Sequence, residues 1–208
     1  MDVLEKIRAD LPLSEGRMRH TEGVVKAALT LAERHFSFLP EDDVRTAALM
    51  HDFTKEYDVE QQLALCEKYG LAVSEEEKAA PKLLHARTAA AVAEQEYRLS
   101  PSVCAAVRWH TTGRPGMEPL EIVIYFADYI EENRTFPSCI RLRRYYERQL
   151  EKRKTASEAL LYGLAKSFDL TLLTLIDEKG LIDRTTVEAR NYYRMLIKKG
   201  NTEDLWKK

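Results

Sequence analysis

The stretch Met50-His51-Asp52-Phe53-Thr54-Lys55 sets a histidine and an aspartate side by side at the end of the apolar run Val44-Arg45-Thr46-Ala47-Ala48-Leu49. Neutral imidazole and carboxylate are both ligands for borderline transition metals. Adjacent residues cannot point the same way from the middle of a helix. At a helix end, however, both can lean into one cavity. Such a pair is also common as a capped surface pair, so its weight depends on its company.

The chain has five histidines, and four occur in similar settings. His20 lies in Arg17-Met18-Arg19-His20-Thr21-Glu22-Gly23-Val24, His85 in Pro81-Lys82-Leu83-Leu84-His85-Ala86, and His110 in Val107-Arg108-Trp109-His110-Thr111-Thr112-Gly113. Asp128 follows the apolar run Ile122-Val123-Ile124-Tyr125-Phe126-Ala127. Each is expected on or at the end of a helix, with apolar residues three or four positions away on the same face. A single histidine so placed is usually a hydrogen-bonded core residue. Four of them with two aspartates point instead to one shared site. His35 lacks such company and reads as structural.

These motifs resemble the HD-domain metal-dependent phosphohydrolases, and among them the YqeK-type subfamily, the symmetrical bis(5'-nucleosyl)-tetraphosphatases. The residues that carry the resemblance are the His20 motif, Leu49–Lys55, His110-Thr111-Thr112-Gly113-Arg114, Asp128-Tyr129-Ile130-Glu131-Glu132-Asn133-Arg134 and, near the end, Thr186-Val187-Glu188-Ala189-Arg190-Asn191. It implies an all-α HD-domain helical bundle with a metal site between helices. It makes His20, His51, Asp52 and Asp128 the metal ligands and iron the metal. His85 and His110 would complete the catalytic set, as ligands of a second metal or as hydrogen-bond donors to phosphate. Lys55 and Arg134, with no acidic partner evident in the sequence, would meet phosphate charge. Gly23, three residues after His20, reads either as close helix packing or as room for a phosphate, and the resemblance favours the phosphate. The implied reaction converts diadenosine tetraphosphate into two ADP, the product leaving beside the loop Arg114-Pro115-Gly116.

Ligand chemistry alone allows iron, manganese, cobalt, nickel or zinc and argues against a pure magnesium site. No Walker loop, Gly-x-Gly-x-x-Gly or nucleophile elbow is present, so kinase, dinucleotide oxidoreductase and α/β-hydrolase readings lack support. Two other classes fit the same residues: an HD-type nucleotidase acting on monophosphates, and a non-catalytic nucleotide-binding module.

Composition narrows the setting. At 208 residues the chain reads as one HD domain, with a core over about residues 14–135 and C-terminal helices over about 138–200 packed on it. A net charge of −2 speaks against a general nucleic-acid binder. No apolar run is expected to approach the roughly 18 residues of a membrane span, and the charged N-terminus is unlike a secretory signal. Three widely spaced cysteines form no zinc motif and suit a reducing compartment. The expectation is a cytoplasmic protein without nucleic-acid or membrane partners, acting on a dinucleoside polyphosphate, with homodimerisation compatible.

Helix punctuation is frequent. Ser14 is expected to cap the His20 helix, and Pro40-Glu41-Asp42-Asp43 to open the His51 helix with acid in its first turn. Ser74/Glu77, Thr155/Glu158 and Thr185/Glu188 have the spacing of capping boxes. Pro81, Pro101 and Pro119 suit helix starts, and Gly70, Gly113, Gly180 and Gly200 helix stops. The strand-like composition of Ile122–Ala127 is read as a buried helix because it starts after Pro119 and continues past Asp128. The basic run from Arg141 to Lys154 reads as a solvated helix face.

Overall fold

The computed structural model describes residues 3–200 and residue 206, and among these there is no strand. Helices α1 (Val3–Asp10), α2 (Glu15–His35), α3 (Glu41–Met50), α4 (Val59–Lys68) and α5 (Glu75–Ala79) occupy the first part. A 3-10 turn, Pro81–Leu83, leads into α6 (Leu84–Gln95). Then come α7 (Pro101–Trp109), α8 (Pro119–Ile130), α9 (Pro137–Lys152), α10 (Ala156–Asp177) and α11 (Arg184–Lys199). The all-α expectation holds.

Helix α8 is the axis. It packs on α2, α3 and α7 on one side and on α9 and α10 on the other. Covered on all sides, it is apolar all round, which is why its composition reads like a strand. Pro119 occupies its first turn, and Glu118 N–H donates to the Glu121 carboxylate (3.1 Å). Around it, α2 lies against α3, α6 against α7, and α7 against α3. Five segments thereby send their ends toward one place: α2, the turn after α3, α6, the turn after α7, and α8.

Two small polar devices fix that convergence. Ser14 caps α2 by accepting from Arg17 N–H (3.4 Å), and its own N–H and hydroxyl donate to Glu56 (2.5 and 2.7 Å). The start of α2 is thus tied to the turn after His51-Asp52. On the inner side, Thr54 Oγ1 donates to the His85 carbonyl (3.0 Å) and Gln62 Nε2 donates to the Thr54 carbonyl (2.5 Å). Thr88 Oγ1 donates to Gln62 Oε1 (2.6 Å). In this buried cluster these bonds offset the loss of water, so it fixes the turn after α3 on α6.

Helix α10 lies between α9 and α11. It corrects the reading of apolar length: over its 22 residues it is long and apolar enough to cross a membrane, with half of that window buried. Its composition follows from being covered on two faces. The cap of α11 also differs from expectation. Asp183, not Thr185, is the cap, accepting from Thr185 N–H (2.7 Å), while Glu188 is held by Arg184 (2.8 Å). The solvated basic face on α9 needs one exception. Arg143 is half-buried and donates to the carbonyls of Glu131 (2.6 Å) and Arg134 (2.8 Å). His35 is structural, as expected, paired with the Tyr146 hydroxyl.

Gly163 of α10 sits where α8 and α9 press closest. A Cβ there would stand 2.8 Å from Phe126 Cζ and 3.3 Å from Tyr146 Cδ2, both rings being buried. Alanine in a helix normally gains about 1 kcal/mol over glycine, whereas overpacking a core costs about 1–3 kcal/mol. Gly163→Ala should therefore lower the melting temperature by several degrees in calorimetry. An equal or higher melting temperature would show that the two rings can move aside.

Candidate metal centre

His51 and His110 are the first residues after α3 and α7, and His85 is in the first turn of α6. Each ring solves a local problem. His51 Nδ1–H donates to the Ala48 carbonyl (2.6 Å), His85 Nδ1–H to Lys82 (2.5 Å) and His110 Nδ1–H to Val107 (2.7 Å). Carbonyls at the C-terminal end of a helix lack an intrahelical partner, and His51 and His110 supply one from three residues on, while His85 does the same for Lys82 in the 3-10 turn before α6. That bond commits the proton to Nδ1, so each Nε2 carries a lone pair and faces inward. His20, within α2, is held differently: its Nδ1–H donates to the buried Glu131 carboxylate (3.1 Å).

The four Nε2 atoms gather around the Asp52 carboxylate. Its Oδ2 lies 3.7 Å from His20 Nε2 and 3.5 Å from His51 Nε2. Its Oδ1 lies 3.3 Å from His85 Nε2 and 3.5 Å from His110 Nε2. Asp128 Oδ1 stands 3.0 Å from His20 Nε2 and 3.8 Å from His51 Nε2. Two ligand atoms each about 2.1 Å from one ion lie about 3.0–3.4 Å apart at octahedral or tetrahedral angles, so both halves of the cluster have a suitable size for a divalent ion. Two further observations fit. The buried Nε2 atoms of His20 and His51 have no hydrogen-bond partner. His85 Nε2 and His110 Nε2 face each other at 3.0 Å, lone pair to lone pair, an arrangement that a cation between them relieves.

The electrostatics agree. Burial works against the charge on Asp52, yet His51 and the rings of His110 and His85 hold its carboxyl well below the usual range. Burial likewise opposes ionised Asp128, but Arg134 and His20 hold it low. Burial, aided by Lys55 and His110, pushes His85 down to about 4, and burial also lowers His110. At neutral pH the cluster therefore sets ionised Asp52 and Asp128 beside neutral His85 and His110, the form that binds metal, whereas at His51 burial is outweighed by Asp52 and Asp128, which raise its pKa.

All the expected site residues except Gly23 meet here. The space beside Gly23 is occupied by Glu131 and Asn133. A Cβ there would overlap the Glu131 carboxylate and stand 2.7 Å from Asn133 Nδ2, so the glycine makes room for the group that holds His20. Lys55 and Arg134 do have acidic neighbours: Arg134 Nη2 donates to Asp128 Oδ1 (2.5 Å), and Lys55 Nζ lies 3.9 Å from Asp52 Oδ1 and 3.2 Å from His85 Nε2. Three site residues carried no functional role in the sequence. Arg17 donates to Asp52 Oδ2 (3.0 Å), Glu131 orients His20, and Thr111 Oγ1 lies 3.2 and 3.1 Å from the Nε2 atoms of His85 and His110. Arg17 precedes His20 by three residues and Glu131 follows Asp128 by three, a spacing that shares a helix face. The loop at Arg114–Gly116 is turned away from this role. Arg114 donates to buried Glu121 (2.9 Å), Met117 N–H donates to Tyr193 Oη (3.1 Å), and the cavity over the cluster is lined by none of its residues.

A family model for the HD domain matches residues 17–133, from Arg17 through Asp128 and Glu131. The chain belongs to the HD-domain family. Several relatives share one name. A Bacillus subtilis protein named symmetrical bis(5'-nucleosyl)-tetraphosphatase is 37% identical over 143 residues, covering 67% of this chain and 74% of its own. Its Staphylococcus aureus namesake is 32% identical over 184 residues, covering 87% and 88%. A crystal structure from Clostridium acetobutylicum, described as a "predicted HD superfamily hydrolase involved in NAD metabolism", matches with a TM-score of 0.80 at 34% identity. That match covers 92% of this chain and 96% of the other. The likeness extends past the HD match into α9–α11.

Carboxylates behind a ligating histidine are commonly worth about 10–100-fold in metal affinity. Glu131→Gln keeps an acceptor but loses the charge, and Gly23→Ala displaces the carboxylate. Both variants should bind added manganese or cobalt about 10–100-fold more weakly in calorimetric titration, at unchanged helix content. Wild-type affinity in both would reduce Glu131 to packing.

Proposed function

We propose that the protein is a metal-dependent hydrolase that cleaves diadenosine tetraphosphate and related dinucleoside tetraphosphates symmetrically into two ADP. The observation that supports this best is the Asp52 carboxylate, with one oxygen toward His20 and His51 and the other toward His85 and His110, under a rim of cations. In this reading His20, His51, Asp52 and Asp128 hold a transition metal, and His85 and His110, with Asp52 Oδ1, hold a second. Iron is the metal that the family resemblance implies. Bound there, such ions polarise phosphoryl oxygens and lower the pKa of water so that a nucleophile is available near neutrality.

Donation from His85 and His110 to phosphate, the alternative role, is disfavoured by their tautomers. Both Nε–H positions are vacated by the Nδ1–H···carbonyl bonds, and burial resists adding a second proton. The cations do the phosphate work instead. Arg17 and Arg134 bond the oxygens of Asp52 and Asp128 that also face the histidines. With those carboxylates holding a metal, the two guanidinium forks would be free to share their hydrogen bonds with phosphate oxygens, a match to which Arg is suited. Lys55 lies beside Asp52 and His85, where its ammonium can meet charge developing on the reacting phosphoryl group. A monophosphate would leave part of this positive rim unpaired, whereas a diphosphate engages it. Free Cys66, Cys104 and Cys139 suit a cytoplasmic enzyme. A homodimer belongs to the same reading, since Leu181 and Ile182 stand exposed between α10 and α11.

Hydrolysis of diadenosine tetraphosphate in oxygen-18 water tests the assignment. Two ADP, one of them labelled, is expected. ATP plus AMP would mean cleavage of an outer bridge, and phosphate release from AMP would make the protein a nucleotidase. His51→Ala and Asp128→Ala should lose metal and activity together while staying folded. Lys55→Ala should keep its metal and lose about a hundredfold in kcat, the size of one removed transition-state donor. Full activity in metal-free wild type would sink the proposal.

A further inference from the structure

We infer that the groove formed by the end of α8, the start of α9 and the last turns of α10 is a nucleoside subsite, with the Phe136 ring as the face on which a substrate base stacks. This rests on the hydrolase reading and adds to it the side chain that meets the base.

Two cavities lie side by side. One, of about 510 Å³, covers the metal cluster and is lined by Arg17, His20, Lys55, Glu131, Arg134 and Phe136 among others. The second, of about 590 Å³, is lined by Tyr129, Arg134, Phe136, Arg141, Leu173 and Thr174 among others. Arg134 and Phe136 line both, so they form the ridge between them. Arg134 is bonded to Asp128 (2.5 Å), and two residues of chain span at most about 7 Å between Cα atoms. The ring therefore stands within a nucleotide's length of the phosphate-facing cations. The second cavity has the volume of a small-molecule site, which runs from about 300 to 1,000 Å³.

Phe136 is 63% exposed, and such a ring on a rigid edge is a stacking face. Its loop is held from behind: Arg143 donates to the carbonyls of Glu131 and Arg134, and Pro137 begins α9 directly after it. The backbone that carries the ring is thus fixed before binding, which lowers the ordering cost. The groove pairs this face with Leu173 and with the hydroxyls of Ser138, Thr171 and Thr174, a mixture that suits the flat face of a base and the polar edge of a ribose. Arg134 at its inner end makes a phosphate-bearing ligand the matching occupant.

The test uses the full-length, metal-loaded protein and two probes, ADP and inorganic pyrophosphate, titrated by calorimetry. Phe136→Ala should weaken ADP about tenfold, the size of one base–aromatic stack, and leave pyrophosphate unchanged. Phe136→Trp should restore ADP binding. An alanine variant that binds ADP like wild type, or that loses pyrophosphate equally, overturns the subsite. Steady-state hydrolysis of diadenosine tetraphosphate separates the two levels. If wild type makes two ADP and Phe136→Ala has an unchanged KM, the subsite fails and the hydrolase stands. If wild type neither cleaves it nor binds ADP, the hydrolase reading fails and the subsite with it.

Discussion

An imidazole Nδ1–H given to the carbonyl three residues back occurs at His51, His85 and His110, and the centre depends on it. At His51 and His110 it satisfies a carbonyl that the C-terminal end of a helix would leave bare, and at His85 it ties the ring to the 3-10 turn before α6. It also decides which nitrogen keeps a lone pair and where that lone pair points. Rotating any of these rings would place an N–H against Asp52 or another imidazole. The same bond that finishes the helix therefore prepares the site. Thr54, Gln62 and Thr88 then fix the turn bearing His51 and Asp52 against the helix bearing His85, so ring orientation and helix packing are one constraint.

Charge is balanced locally rather than avoided. Asp52, Asp128 and Glu131 converge at the centre with Arg17, Lys55 and Arg134 beside them. Buried carboxylates of this density would repel one another and seek protons without such partners. Arg134 helps to hold Asp128 ionised against its burial, and Arg17 fixes Asp52 in place by its hydrogen bond. The guanidinium groups stand toward the cavity mouth, where an incoming anion has to pass.

Much of this was legible in the residues. His-Asp at the end of an apolar run, three more histidines in like settings and Asp128 in a buried run were enough to place one all-α cluster. Caps at Ser14 and Ser74 and the glycine stop at Gly200 were read correctly because capping is local chemistry. What escaped was tertiary. Gly23 looks like open space on its own helix, and only the approach of the 131–133 segment fills that space. Glu131 looks like another surface acid until its burial is known. Asp52 lies three residues before Lys55 and Asp128 six before Arg134, but only the turns after α3 and α8 bring each pair face to face. Thr185/Glu188 had the right spacing for a box, but Asp183 two residues earlier competed for the same cap.

The segment from Glu131 to Phe136 has a consequence of its own. One end of it grips the metal-side histidine, its middle touches Asp128, and its far end forms the ridge over the adjoining groove, while Arg143 of α9 fastens it from outside. Six consecutive residues thus report to both the metal donors and the outer cavity. A change in α9 that moves Arg143 therefore shifts the Glu131 and Arg134 carbonyls together, and with them both the carboxylate that holds His20 and the ridge at Phe136.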